Sequence, residues 1–481
     1  MGSVHGQNED DALRMSTVTP GGTARSIGVA NAFGALGADG VSIAINPAGL
    51  GIYRTSEVSM TPGLEVNSVA SSYYGSVSTN SATRAFFNNL ALVINAPSNS
   101  GSKWRSSTFG VIYDRQATNR WDRQAVGYGI PSSMLDALAL DAEGNLPDEL
   151  YDNRPFTSAL AYETYGIDPA DPVDSMGTSY ISALPAGALV DQQQTVESKG
   201  ATSNTSFFYS ANYMDKLYVG LSVGIIGHRY SSTTTHTEDT PDGSVDLKSM
   251  TFREELGTSG NGLDVKAGAI YRLTDKLRTG LAFHSPRWMQ LNDTYITDMR
   301  TSFRSAGIDG RTDYSAESPD GLFSYRINTP WRTVLSAGYV TNAGLISIDY
   351  EYVDYRNMRL RPMNNVQDPY DFANENAVIR ETFRQVHSVR VGTEWRSGNW
   401  YYRMGWGILP NAFDKDEARH AAALKTYAAG LGYRTDRLSL DLGVNYQTNG
   451  YNYYQYDPML VDVTRETRST VRTLVTVAWR P

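Results

Sequence analysis

The sequence predicts an all-β chain, a transmembrane β-barrel of about fourteen antiparallel strands with an N-terminal hatch plugging its lumen. Three observations predict it. Apolar and polar residues alternate with period two in one segment after another. Tight turns and long polar connections alternate along the chain. A Gly- and Ala-rich segment precedes the first strand, and a closed wall has no position left for it.

The alternation is plainest at residues 438–447, where Leu438, Leu440, Leu442, Val444 and Tyr446 oppose Ser439, Asp441, Gly443, Asn445 and Gln447. A strand with one face in oil and one in water reads this way. The pattern recurs at Val219, Leu221, Val223 and Ile225, and at Ile346, Ile348 and Tyr350 against Ser347, Asp349 and Glu351. It recurs again at Trp400, Tyr402, Met404 and Trp406, and at Val471, Thr473, Val475, Val477 and Trp479. A soluble sandwich also alternates. Here, however, the polar face carries Gly, Ser and full charges, and the apolar face carries aromatics toward the strand ends. That is the pattern of a water-lined lumen with lipid-facing aromatic girdles.

The connections orient the wall. Tight turns are expected at Met214-Asp215-Lys216, Leu273-Thr274-Asp275-Lys276, Thr341-Asn342-Ala343, Ser397-Gly398-Asn399 and Arg434-Thr435-Asp436-Arg437. The joins between them, such as 232–261, are long and polar. In a bacterial outer membrane the short side is periplasmic and the long side extracellular. An even strand number then puts both termini on the periplasmic side. The division reads as an N-terminal extension over 1–19, a hatch over 20–55 and the barrel over 56–481. Residues 24–33 resemble a short helix. Residues 119–192 form the longest connection, an extracellular loop with helix-like patches at 132–140 and 157–165. Pro62, Pro286 and Pro330 interrupt strands and are candidate wall kinks, because proline removes a ladder hydrogen bond.

Composition bounds what the barrel does. The 481 residues carry a formal charge of −9, which argues against a nucleic-acid binder. No apolar run is long enough for a membrane-spanning helix. With no cysteine there is neither a disulfide framework nor a thiolate metal site. Met1-Gly2-Ser3-Val4-His5 lacks the basic start and apolar core of a signal segment and reads as a mature terminus. HExxH, GxSxG and Walker patterns are absent and the six histidines are scattered, so neither an enzyme nor a cofactor is expected. Gly257-Thr258-Ser259-Gly260-Asn261-Gly262 reads as a loop.

Ile45-Asn46-Pro47-Ala48-Gly49-Leu50, just before the first strand, resembles the Asn-Pro-Ala hatch motif of the FadL/TodX-type outer-membrane transporters of hydrophobic compounds, in their Bacteroidetes-like branch. Residues 277–285, Pro330-Trp331-Arg332 through Asp354-Tyr355-Arg356, Tyr402-Arg403-Met404-Gly405 and residues 427–446 resemble further strands of that family. The resemblance implies a fourteen-stranded barrel with a hatch, acting as a monomer. It implies passive uptake of long-chain fatty acids or similar lipophilic molecules, with lipid and lipopolysaccharide around the wall. The insertion at 119–192 and the Trp479-Arg480-Pro481 ending depart from the enterobacterial members. Relatives also include barrel subunits of protein assemblies or secretion systems, which bind partner proteins, and some carry a haemin-receptor label. His228 and His284 are the haem-ligand candidates for that reading.

The hatch residues Asn46, Pro47, Ala48 and Gly49 have two readings: a structural corner, or a group that sets hatch position. Proline fixes φ and pushes its predecessor extended, leaving the Asn46 amide free to bind backbone. The lumen face should carry Arg278, Arg332, Asp349, Glu351, Arg390, Glu394, Arg403, Asp441 and Arg472. Arg278, Arg332, Arg390 and Arg403 are candidates to hold a ligand carboxylate. The competing reading is an ion-pair network tying walls to hatch. Phe33, Ile43 and Ile45 in the hatch, and Met134, Leu135 and Leu138 in the long loop, are candidates for apolar ligand contact. A Leu/Met stripe at helical spacing also reads as a loop's own core.

Overall fold

In the computed structural model, residues 8–99, 101–171, 177–364 and 370–481 are described. The first strands are β1 (Glu57–Tyr73), β2 (Ser76–Pro97), β3 (Trp104–Thr118), β4 (Trp121–Ile130), β5 (Ile167–Pro169), β6 (Tyr180–Ser182) and β7 (Val190–Tyr213). Next come β8 (Leu217–Asp239), β9 (Leu247–Arg272), β10 (Leu277–His284), β11 (Trp288–Phe303), β12 (Asp313–Glu317), β13 (Gly321–Asn328) and β14 (Arg332–Val340). The last are β15 (Gly344–Asp354), β16 (Arg359–Pro362), β17 (Gln385–Ser397), β18 (Trp400–Leu409), β19 (Leu424–Arg434), β20 (Leu438–Tyr453) and β21 (Thr464–Trp479).

Fourteen antiparallel strands close the ring, in the order β1, β2, β3, β7, β8, β9, β10, β14, β15, β17, β18, β19, β20, β21. The ladder Val58↔Trp479 through Ser72↔Arg465 joins the last strand to the first. The wall is inside-out by the standard of a soluble protein. Along β20, Leu438, Leu440, Leu442, Val444 and Tyr446 are exposed on the outer face. Their neighbours Ser439, Asp441 and Asn445 are buried in the lumen. Trp104, Tyr271, Tyr339, Trp395, Trp400, Tyr433 and Trp479 stand exposed at the short-turn end, forming the aromatic girdle of a membrane-spanning wall.

β7, β8 and β9 run for 24, 23 and 26 residues, well beyond the roughly 9–11 that cross a bilayer. Their excess stands above the membrane as a sheet, so much of 232–261, expected as a loop, is strand. Ser231 to Thr237 is rich in β-branched Thr, which favours a strand without an apolar face to signal it. The Gly-rich stretch 257–262 likewise lies within β9, where a Cβ on Gly260 or Gly262 would strike β11. One turn breaks the expected segregation. Tyr74 and Gly75 join β1 to β2 tightly at the long-loop end, with φ of 42° and 80°, the positive values of a hairpin turn whose twist matches its strands.

The connection over 119–192 is not one loop. Residues 121–130 form β4, paired with β7. Beyond it lie the helices Met134–Ala142, Leu150–Asn153 and Ser158–Glu163 and the β5–β6 hairpin. These pack on the raised sheet through a core of Leu135, Leu150, Leu160, Ile167, Met250, Phe252 and Met299.

The three prolines fall at irregularities. Pro62 sits at a register shift in the β1–β2 ladder, opposite a bulge that turns both Asn88 and Asn89 inward. Pro286 separates β10 from β11, and Pro330 separates β13 from β14 on the neighbouring strand. There the ladder is bridged by Thr329 N–H donating to the Arg287 carbonyl at 3.1 Å.

Leu442→Arg, midway along the outward face of β20, is expected to destabilise the barrel by about 2–4 kcal/mol in lipid vesicles. Equilibrium urea unfolding from liposomes, followed by tryptophan fluorescence, measures it.

Candidate functional site

Residues 20–50 are almost wholly buried, and their contacts reach strands on every side, so they fill the lumen. The expected helix over 24–33 is a single turn, α2 (Ala24–Ile27), followed by the left-handed residues Ala30 and Asn31. A second turn, α3 (Ser42–Ile45), leads into a 3-10 turn over Pro47–Ile52. Thr23 caps α2 and Asn46 caps the 3-10 turn, each accepting a backbone N–H of its own turn.

The hatch seats on the wall where the wall has no side chains. A Cβ on Gly220, Gly268 or Gly280 (in β8, β9 and β10) would overlap Pro47, Asn46 or Gly34. On the far side, a Cβ on Gly392 or Gly405 would strike Val29, and one on Gly443 would strike Ala24. Glycine within a strand permits this approach of backbone to backbone. At the first seat the Asn46 side-chain amide donates to the carbonyls of Gly34 at 2.8 Å and Ala269 at 3.2 Å. Ser210 donates to the Pro47 carbonyl at 2.7 Å.

Charges complete the seating. Arg25 is bidentate on Glu394, both contacts at 3.0 Å, and Glu394 also accepts from Arg403 at 2.5 Å. Arg403 reaches Asp441 at 2.7 Å. Asp349 accepts the backbone N–H groups of Phe33 at 2.8 Å and Gly34 at 3.0 Å. Arg332 and Arg390 share Glu351, at 2.6 and 3.0 Å. Arg472 holds Glu65 at 2.6 Å. Inside the hatch, burial pushes the Asp39 carboxyl up to about 6, although Arg25 opposes the shift.

The wall is interrupted between β2 and β3. Their ladder runs from Pro97↔Ser106 and stops at Asn89↔Asp114. Above it β2 pairs only with β1, while β3 bends inward to meet the hatch. Asp114 accepts from Gly22 N–H at 2.9 Å, the Gln116 carbonyl from Thr19 N–H at 3.1 Å, and Asn88 donates to the Gly22 carbonyl at 2.6 Å. Hatch backbone thus takes up one wall carbonyl, that of Gln116, which a neighbouring strand would otherwise satisfy, and is tied to the wall beside it by the Asp114 and Asn88 side chains.

Above the hatch lies a cavity of about 280 Å³. It is lined by Leu13, Tyr355, Leu409, Phe413, Leu424 and Tyr451 with Arg14, Gln447 and Arg472, and on one side by the inward segment of Ala117, Thr118, Asn119 and Trp121. A smaller space of about 60 Å³ continues it down to Pro20, Ala30 and Asn31. The helix α1 (Glu9–Ser16) roofs the cavity. Its Ala12 and Met15 pack with Tyr355, Phe372, Ile379 and Phe413, and Arg419 of the loop over 410–423 grips Glu9 at 2.9 Å. The wall begins and ends at the short-turn end, as an even strand number requires. The described chain, however, starts beneath the long loops and descends through the lumen to reach β1.

Among the expected site residues, Asn46, Pro47, Ala48 and Gly49 lie on the first glycine seat. Phe33 and Ile45 are buried between hatch and wall with Ala282 and Val334, and Ile43 is buried against Val93, Ile112 and Phe208, so none of the three lines the cavity. Met134, Leu135 and Leu138 belong to the core of the outer subdomain. Arg390 borders the smaller space, yet it, Arg332 and Arg403 are engaged by carboxylates. Arg278 has no ion pair among the described residues and lies near the short-turn end. His228 is bonded to Thr202 at 2.8 Å and His284 to the Ile45 carbonyl at 2.9 Å, both buried. Sequence reasoning missed Arg25, Asp114 and α1. Its standing as the one cation, with Asp39 the one anion, in the small-residue segment 20–50 was the available signal for Arg25.

No protein-family model matches the sequence, and no curated protein does. The backbone resembles a crystal structure of a Pseudomonas aeruginosa FadL homologue, with a TM-score of 0.55 and 15% identity over 96% of this chain and 98% of that one. It also resembles the P. putida toluene transporter TodX, with a TM-score of 0.54 and 11% identity over 96% and 99% of the two chains. At such identities the likeness is one of fold, and it spans strands and hatch alike.

Arg25→Ala removes one partner of a buried ion pair and is expected to cost the hatch about 3–5 kcal/mol, leaving the barrel closed. Faster hydrogen exchange confined to residues 20–50 checks this. Asp39 adds a pH dependence. Its folded value is raised from 3.8 to about 6, so its contribution to hatch stability is fully present below 3.8 and is lost as pH rises through 6. Hatch amides, corrected for intrinsic rates, are expected to be better protected at pH 5 than at pH 7.5, and Asp39→Asn to flatten that difference.

Proposed function

We propose that the protein is an outer-membrane channel for the passive uptake of small hydrophobic molecules, long-chain fatty acids or similar lipophilic compounds. One observation carries the reading. The lumen holds a partly apolar cavity that is closed below by the hatch and bordered on one side by the segment where the wall is interrupted. A molecule resting there has a shorter way sideways into lipid than down past a hatch seated on two glycine patches. The fold supports the reading, because it is shared with a protein described as a toluene transporter and with a FadL homologue.

In this reading the N-terminal extension over 1–19 contributes α1 as a roof, 20–55 is the hatch, and 56–481 carries the wall with its outer subdomain within 119–192. The long-loop end faces outward and the short turns face the periplasm. Asn46, Pro47, Ala48 and Gly49 hold the hatch in register. Pro62, across from the bulged Asn88, is the proline kink that borders the interruption. The channel works as a single chain, with membrane lipid and lipopolysaccharide around its outer face.

A second reading, a barrel subunit that binds partner proteins, is favoured by one feature. The outer subdomain has its own core and shows Tyr151 and Ile181 at its surface. Mass spectrometry of what co-purifies separates the two. Bound lipophilic molecules support the channel, and a stoichiometric protein partner without them overturns it. Deleting residues 20–48 is expected to leave a folded barrel that leaks small polar solutes in liposome-swelling assays. Unchanged conductance and unchanged hydrophobe uptake in that variant would overturn the hatch assignment.

A further inference from the structure

Most lumen arginines in this protein are spoken for. Arg25, Arg123, Arg332, Arg390, Arg403 and Arg472 each meet a carboxylate. At the wall interruption the pattern changes. Arg84 on β2, Arg115 on β3 and Arg120 at the β3–β4 corner form no ion pair or side-chain hydrogen bond among the described residues. Arg84 stands within electrostatic reach of both others. The Arg115 guanidinium lies 5.4 Å from the centre of the Phe86 ring, and Phe86 is buried at the lip of the gap.

The nearby carboxylates are occupied. Glu65, the backbone partner of Arg84, is held by Arg472 at 2.6 Å and by the Asn67 amide at 3.1 Å. Asp114 receives Gly22 and Asn89. Three like charges gathered with only Glu65, already held by Arg472, to offset them repel one another. Nε and Nη1 of Arg115 and Nε of Arg120 are also shielded from solvent with no acceptor. Buried polar atoms of this kind ordinarily have a partner.

The gap is bounded. Below, the β2–β3 ladder ends at Asn89↔Asp114. Above, Ser78 donates to the Gln124 carbonyl and closes β2 onto β4. Inward lies the cavity, whose lining includes Arg472, Glu65 and, on either side of Arg120, Ala117, Thr118, Asn119 and Trp121. Outward lies the membrane. A group seated there meets guanidinium donors beside the Phe86 ring, which packs inward on Ala24, Ile27 and Leu474, with lipid on the outer side, which is the chemistry of an amphiphile's anionic head.

We propose that the gap between β2 and the β3–β4 corner is an oxyanion site, in which Arg84, Arg115 and Arg120 hold the carboxylate or phosphate head of an amphiphile whose tail lies in the membrane. The site goes beyond the channel reading, since a resident lipid and a conducted acid would present the same head.

The test is native mass spectrometry of the full chain in a neutral detergent, titrated separately with palmitate, a lipid A and palmitic acid methyl ester. The wild type is expected to bind at least one of the two anions ten-fold or more tighter than the ester. The variant R84Q/R115Q/R120Q is expected to lose that preference, and R84K/R115K/R120K to keep most of it. Palmitate as the sensitive anion assigns the site to a conducted acid, and lipid A assigns it to the membrane. Equal anion binding by wild type and the glutamine variant, both heat-modifiable on gels as folded barrels are, overturns the proposal. Uptake of a neutral hydrocarbon into vesicles by the same proteins reports on the channel reading separately. Its loss in the wild type would sink the channel and leave the anion site standing.

Discussion

Hydrocarbon offers a peptide group no hydrogen-bond partner, and each unpaired N–H or C=O placed there costs several kcal/mol. The architecture of this chain follows from that constraint. Fourteen strands close through the β1–β21 ladder so that no edge is left facing lipid. The interruption between β2 and β3 is tolerated because the freed groups turn inward. There the hatch donates from Thr19 to the Gln116 carbonyl in place of a strand, and Gly22 binds the Asp114 and Asn88 side chains that turn inward beside it. Wall and hatch are therefore one hydrogen-bonded system, and a movement of the hatch alters how the wall is satisfied at its weakest seam.

The hatch is located by shape and charge together. Glycines on β8–β10 and on β17–β20 remove side chains along two tracks, and the hatch backbone fills both. A seat of this kind specifies position sharply but offers little apolar area. Buried ion pairs such as Arg25–Glu394 add modest net stability, because desolvation offsets much of their attraction, yet a displaced hatch would strand their charges. The expected result is a plug with one preferred position and few halfway states.

How much of this was legible depends on distance along the chain. The wall was, because Leu438 to Tyr446 declare their two faces residue by residue. The hatch was legible as a place, since residues 20–50 follow no strand period, and Asn46-Pro47-Ala48-Gly49 marked its turn. The extension of β8 and β9 was not, because above the membrane both faces are wet and alternation fades. In the long loop the stripe of Met134, Leu135 and Leu138 was legible as apolar, and of its two readings the outer subdomain's own core is where those side chains lie. Among the lumen charges, the ion-pair reading describes Arg332, Arg390 and Arg403. Their specific partners were out of reach, as the Arg25–Glu394 pair spans 369 residues.

By itself the sequence determined that there is a wall, which of its faces meets lipid, and that something other than wall precedes it. Those properties are sums of local transfer preferences, and each residue carries its own share of them. Only the tertiary structure decided where the closed ring's ladder is interrupted, which glycines are seats and not merely small, and which arginines lack an ion-pair partner among the described residues. Each of these is a relation across the lumen between residues far apart in the chain, and no period along the chain encodes it.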